Sequence, residues 1–232
     1  MKDIFIRSAA MLGEESIHRL QKAHVLVFGL GGVGGHAAET LCRGGIGSLS
    51  LVDSERFDNS NCNRQIFATQ ETIGMPKTEA AKQRLLSIQP DCNVQTYSFF
   101  YGKDNNPDCL FDNVDYILDA IDTVSAKMNL IEEAQRRNIP IVSCMGTGNK
   151  LDPTRFRVAD INHTKVCPLA RVIRNECRKR GIKKLKVVYS EEEPVSAIIP
   201  SENGRHAPGS VSFVPGVAGM ILAGEIIKDI IK

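Results

Sequence analysis

No two of the seven cysteines (Cys42, Cys62, Cys92, Cys109, Cys144, Cys167 and Cys177) form a C-x-x-C pair, so a zinc site of the usual spacing is not encoded and no zinc is expected. Residues 1–7 lack the hydrophobic core of a signal peptide, and the cysteine count is odd. Both facts argue against a disulfide framework and for small, buried thiols in a cytoplasmic protein. An apolar run long enough to cross a bilayer is missing too, so no membrane role is expected. Neither internal repeats nor low-complexity tracts occur, and the net charge of +2 says little about partners. The 232 residues, 42% hydrophobic and 24% charged, suit a single α/β domain with a core over 1–150 and an extension over 151–232.

Apolar runs predict strands over 24–28, 48–52, 94–99, 116–120 and 139–144. Helical patterns over 13–22, 33–43, 75–89 and 125–137 alternate with them, and a polar loop fills 54–65. Such alternation implies parallel strands joined by right-handed crossovers, a Rossmann-like doubly wound sheet. The extension reads as strands over 155–159 and 185–189, a basic helix over 168–180 and a breaker-rich segment over 191–209 that is expected to be mobile. A final apolar helix over 216–231 carries Gly219, Ala223 and Gly224, small residues that suit close approach and dimerisation.

Gly29-x-Gly31-Gly32-x-Gly34 follows the first strand, opens a helix and precedes Asp53 by about 20 residues, the arrangement of a nucleotide-phosphate loop. Gly29 suits the tight turn, Gly31 and Gly32 the approach of phosphate, and Gly34 helix–strand packing. Asp53 is placed to accept ribose hydroxyls. A nicotinamide or flavin enzyme needs no more than this. Here Asn61, Arg64 and Gln65 follow in the polar loop, Lys77 stands at a helix start where the dipole disfavours a cation, and Asp122 ends a later strand. An arginine fork, an ammonium and a metal-holding carboxylate around one crevice suit a triphosphate that is being split, and so the ATP-driven activation of a carboxylate. Asp119 reads as a capping residue and Cys167 as a packed thiol. Arg171, Arg174, Arg178, Lys179, Arg180, Lys183, Lys184 and Lys186 form a basic stretch offset only by Glu176, either a solvated face or a seat for a nucleic-acid backbone. No aromatic side chain interleaves it, against stacking on single-stranded bases.

Taken in order, Gly29-x-Gly31-Gly32-x-Gly34, Asp53, Asn61-x-Asn63-Arg64-Gln65, Gly74-x-Pro76-Lys77 and Asp119-x-x-Asp122 resemble the adenylating domain of the ubiquitin-activating-enzyme-like superfamily. The resemblance implies ATP held by these residues, with Asn61, Arg64 and Lys77 on the phosphates and magnesium on Asp122. It also implies a homodimer in which Arg7 reaches the neighbouring subunit's phosphates. The segments 160–171, 186–190 and 208–215 are similar to the transfer-RNA threonylcarbamoyladenosine dehydratases, which implies a transfer-RNA substrate. Further implications are a monovalent cation (sodium or potassium) that these residues do not locate, and a sulfur-acceptor or cysteine-desulfurase partner.

The implied reaction adenylates the carboxylate of the threonylcarbamoyl group, after which the carbamoyl group of the same nucleoside closes a ring and expels AMP. No protein nucleophile is needed, and the basic stretch would hold the RNA. The alternatives are adenylation of a carrier protein ending in Gly-Gly, a nucleotide-binding scaffold without chemistry, and a nicotinamide oxidoreductase.

Overall fold

The computed structural model of the protein describes residues 3–196, 198–199 and 207–232. Buried apolar runs form β1 (His24–Phe28), β2 (Ser48–Val52), β4 (Tyr116–Asp119) and β5 (Ile141–Cys144), while the more exposed β3 (Asn93–Tyr97) lies at one edge. With β6 (Phe156–Asp160) and β7 (Lys186–Ser190) they make one seven-stranded sheet in the order β3-β2-β1-β4-β5-β7-β6. All neighbours pair parallel except β6, which runs antiparallel to β7 at the far edge. This is the mostly parallel, doubly wound sheet expected, and the extension's strands continue it. Strands buried on both faces need helices on both sides. The predicted strand and helix positions hold to within about two residues at most ends, the scatter normal for helix and strand boundaries.

Register fixes the site. Phe28 pairs with Val52 on one side and with Asp119 on the other, so β1, β2 and β4 end level. Strand order reverses about β1, and the crevice at such a switch point is where these folds place ligands.

One expectation needs correction. The leading helix is two helices, α1 (Ile6–Leu12) and α2 (Glu14–Lys22), because Gly13 adopts φ 85° and breaks the run. The core helices α3 (Gly34–Gly44), α4 (Lys77–Ile88) and α5 (Val124–Arg137) and the basic helix α6 (Pro168–Lys179) stand where expected. The last helix, α7 (Val214–Ile230), turns its small face inward: Ala218, Leu222 and Ala223 are fully buried in the cluster that also holds Ala37 and Leu41 of α3. Gly219 and Ala223 are therefore occupied within the chain, while the space beside Gly224 is open among the described residues. The described part of 191–209 makes hydrogen bonds to residues 149–152. Glu192 accepts from the Leu151 and Asp152 amides at 2.8 and 3.0 Å, and Asn149 Oδ1 accepts from the Gly209 amide at 2.6 Å. Residues 197 and 200–206 of that segment lie outside the described residues.

Candidate active site

A cavity of about 920 Å³ opens at the carboxyl ends of β1, β2, β4 and β5. Gly29, Gly31, Gly32, Asp53, Asn61, Arg64, Gln65, Lys77 and Asp122 all line it, so residues scattered over the sequence face one space. Gly29 adopts φ 85° and a side chain on it would sit 2.7 Å from the Ala120 carbonyl oxygen, so glycine is required twice over. Gly34 lies behind the cavity as the first residue of α3, where any side chain would run into the Gly29 carbonyl. The α3 amino terminus thus approaches the cavity bare, with its N–H groups and partial positive charge available to phosphate.

Asp53 follows β2 directly. Its Oδ2 accepts from the Leu30 amide at 2.7 Å and its Oδ1 from the Glu55 amide at 2.8 Å, which orients the carboxylate and leaves lone pairs for a ligand. Burial pushes its carboxyl up from the usual range, and the two amides partly offset this. In the polar loop Asp58 and Asn61 form a reciprocal cap: Asp58 Oδ1 accepts from the Ser60 amide at 2.7 Å and the Asn61 side chain accepts from the Asp58 amide at 3.4 Å. That cap fixes the turn from which Arg64 projects. Arg64 Nη1 donates to the Ser60 carbonyl at 3.0 Å and to Asn63 Oδ1 at 2.9 Å, and the rest of its fork has no partner among the described residues. Gln65 is buried and lines the cavity, and its Oε1 has no hydrogen-bond partner among the described residues.

Lys77 is no solvated surface lysine. It is 2% exposed at the start of α4, with Nζ 2.5 Å from Glu55 Oε2 and 5.7 Å from the centre of the Phe57 ring. Within the chain itself, the Glu55 carboxylate offsets the unfavourable helix dipole at Lys77. Asp122 is exposed and takes one hydrogen bond, from Thr123 Oγ1 at 3.3 Å, so its oxygens are open to a cation. Among the described residues no group of three or more His, Cys, Asp or Glu side chains could hold a metal alone, so an ion at Asp122 would share its coordination with phosphate oxygens.

Asp119 caps the turn after β4 as expected, accepting from the Ile121 amide at 3.1 Å, but it does more. It is fully buried and paired with Lys127 at 2.7 Å, a partner that sequence reading missed because the contact is specific to the folded packing of α5 on the sheet. Also unforeseen are the aromatic wall of Phe99, Phe100 and Tyr101, and an uncharged end formed by Met145, Gly146, Thr147, Gly148, Leu169 and Ser210. Five of the seven cysteines are buried. Cys167 is one, a packed thiol at the start of α6; Cys144 lines the cavity, and burial pushes its thiol up to about 12, which keeps it protonated.

The basic stretch is offset by more than Glu176. Arg174 donates to the Thr164 hydroxyl at 2.7 Å, Lys179 pairs with Glu176 at 2.7 Å, Arg180 with Glu132 at 2.9 Å, and Lys186 with Asp229 at 2.5 Å. Arg171, Arg178, Lys183 and Lys184 are exposed. Arg7 is exposed on α1 and does not line the cavity. Among the described residues no helix is long and apolar enough to cross a membrane.

Residues 5–232 match the ThiF family. The tRNA threonylcarbamoyladenosine dehydratase of Bacillus subtilis (strain 168) is 39% identical over 240 residues, spanning 98% of this chain and 94% of that protein. Its counterpart of the same description in Escherichia coli (strain K12) is 37% identical over 171 residues, 74% of this chain and 64% of that one. Among solved structures, E. coli tRNA N6-threonylcarbamoyladenosine dehydratase, TcdA, in complex with ATP matches with a TM-score of 0.89 at 32% identity, covering 97% of this chain and 93% of that one.

Proposed function

The chain belongs to the ThiF family, and from that premise we propose that it uses ATP to adenylate the carboxylate of N6-threonylcarbamoyladenosine in a transfer RNA and then closes that group into a ring. The observation that carries the reading is the meeting of the glycine loop, Asp53, Arg64, Lys77 and Asp122 around one cavity. Asp53 takes the ribose, and the bare start of α3 and Asn61, Arg64, Gln65 and Lys77 take the phosphates. Asp122 fits magnesium, which when bound neutralises phosphate charge.

A carboxylate oxygen of the acceptor attacks the α-phosphorus, and the bond from that phosphorus to the bridging oxygen of pyrophosphate breaks. Negative charge grows on the departing pyrophosphate, where Arg64 and Lys77 stand. Donors fixed before the reaction stabilise that charge without reorganising, and in many enzymes this effect dominates the rate enhancement. Lys77 leaves Glu55 for phosphate at little cost, since Glu55 is 70% exposed and solvates readily. In the second step the carbamoyl group attacks the acyl carbon of the adenylate, the bond to AMP breaks, and a proton leaves to solvent. The nucleoside loses the elements of water in all. Because both partners belong to one nucleoside, positioning supplies much of the rate, and the step needs no protein nucleophile.

Exposed Arg171, Arg178, Lys183 and Lys184 hold the RNA backbone, with Arg174, Lys179 and Arg180 adding long-range field rather than free charge. Arg7, which does not line its own cavity, acts on the partner's phosphates in a homodimer. A monovalent cation and a sulfur-acceptor or cysteine-desulfurase partner complete the reading, in the cytoplasm. Mass spectrometry of transfer-RNA nucleosides, with and without the protein and ATP, tests it. Conversion of threonylcarbamoyladenosine to a product lighter by one water is expected. An unchanged nucleoside, with pyrophosphate exchange on a Gly-Gly carrier instead, would overturn it.

A further inference from the structure

An ammonium group has three donors and no acceptor. At Lys127, which is fully buried beneath the cavity, each finds a partner: Asp119 Oδ2 at 2.7 Å, Ser143 Oγ at 3.0 Å and the Cys144 carbonyl at 3.0 Å. Ser143 Oγ in turn donates to Asp119 Oδ2 at 2.5 Å, and Asp119 Oδ1 accepts from the Ile121 amide. The network sits where backbone pairing stops. Asp119 and Ser143 are the last partners of the β4–β5 ladder, and beyond them the two chains part to form opposite lips of the cavity, 120–123 and 144–148.

Stability alone is a poor reason for such a pair, because apolar replacement of a buried ion pair is often neutral or favourable. What the network does is fix both lips from one point. Through Asp119 it holds the turn that presents Asp122, and through the Cys144 carbonyl it holds the start of the other lip. The Ala120 carbonyl stands so close over Gly29 that a shift of the β4 turn would pass directly to the phosphate loop.

We infer that Lys127 is a positioning residue for the reaction: it touches no substrate, and it sets the distance between the carboxylate at Asp122 and the glycine loop. The consequence for magnesium rests on the reading of Asp122 given above. The test uses the full-length protein as Lys127→Met and as the double variant Asp119→Asn/Lys127→Met, which removes both charges together so that no lone buried carboxylate unfolds the chain. Two quantities are read: amide hydrogen exchange at Ile121 and across 144–148 in the free protein, and the affinity for ATP with EDTA and with magnesium.

The double variant is expected to melt near the wild type. Exchange at Ile121 and in the second lip should quicken about tenfold, and the gain in ATP affinity from magnesium should fall about tenfold, the size usual for residues that orient a metal ligand. A folded double variant whose exchange at these amides matches the wild type overturns the inference, even if activity falls. Loss of the fold in both variants also overturns it, since Lys127 would then be a stabilising element only. A wild type whose ATP affinity ignores magnesium refutes the role given to Asp122, and the exchange data still decide the role of Lys127.

Discussion

Two cation-rich regions of this chain have opposite fates. The loop after β2 and the helix start beyond it hold only a few basic residues, yet Arg64 and Lys77 both reach the cavity. The stretch from Arg171 to Lys186 is far denser in charge, and half of it is engaged with Thr164, Glu176, Glu132 and Asp229 of the same chain. Density along a sequence therefore says less than place. Cations that follow strand ends at a switch point converge, because the sheet register brings those ends level. Cations on the outer face of a helix meet whatever acidic residues pack beside them.

The contrast between the two regions is tested most severely at the cavity. Arg64→Ala and Asp122→Ala should each lower kcat by about 10²- to 10³-fold, the loss typical when one preorganised donor or charge is removed. AMP release under saturating ATP and RNA measures it, and near-full activity in either variant would remove the cavity's distinction. Combined replacement of Arg171, Arg178, Lys183 and Lys184 by alanine should come next. It is expected to raise KM for RNA while leaving ATP affinity alone. The salt dependence of RNA binding should flatten too, by about one unit of slope for each phosphate that is no longer neutralised.

A smaller effect concerns the internal pairing. Burial would raise the Asp229 carboxyl, but hydrogen bonds from Lys186, Lys232 and Tyr116 hold it down to about 2. A folded-state value below the unfolded value of about 3.9 means that the ionised group stabilises the fold above that pH and that this stabilisation is lost as pH falls towards 2. Urea denaturation should find Asp229→Asn less stable than the wild type at pH 7, with the gap closing between about pH 4 and pH 2. A gap that is constant with pH would contradict the pairing. The least effect is expected at Lys179→Ala, whose ion pair with Glu176 is largely exposed: a change within about 0.5 kcal/mol by the same method, as for most surface pairs.

The same contrast explains what could be read from the sequence. The glycine loop, Asp53, Lys77 and Asp122 were legible because each follows a strand or opens a helix, and strand order then fixes where it faces, while Arg64 was legible from its place in the polar loop after β2. Lys127 was not legible. It lies mid-helix among ordinary polar residues, and only the packing of α5 on the sheet brings it to Asp119 and Ser143. Phe99 was read as the end of a strand and Phe100 and Tyr101 were given no role, but the ladder stops at Tyr97 and all three rings line the cavity. Gly13 split the first helix for a reason visible in hindsight, a backbone conformation with positive φ that glycine tolerates. The inward turn of α7 was missed because an apolar helix with small residues serves an internal neighbour and a second subunit equally well.

The central claim is that one triphosphate lies among Arg64, Lys77 and Asp122 and is cleaved at its α-phosphorus by a carboxylate of modified transfer RNA. The direct measurement is the stoichiometry of AMP and pyrophosphate released with transfer RNA that carries, or lacks, the threonylcarbamoyl group. One AMP and one pyrophosphate per ring closed, and none with unmodified RNA, is the predicted result. Release of ADP and phosphate, or product formation indifferent to the threonylcarbamoyl group, would contradict it.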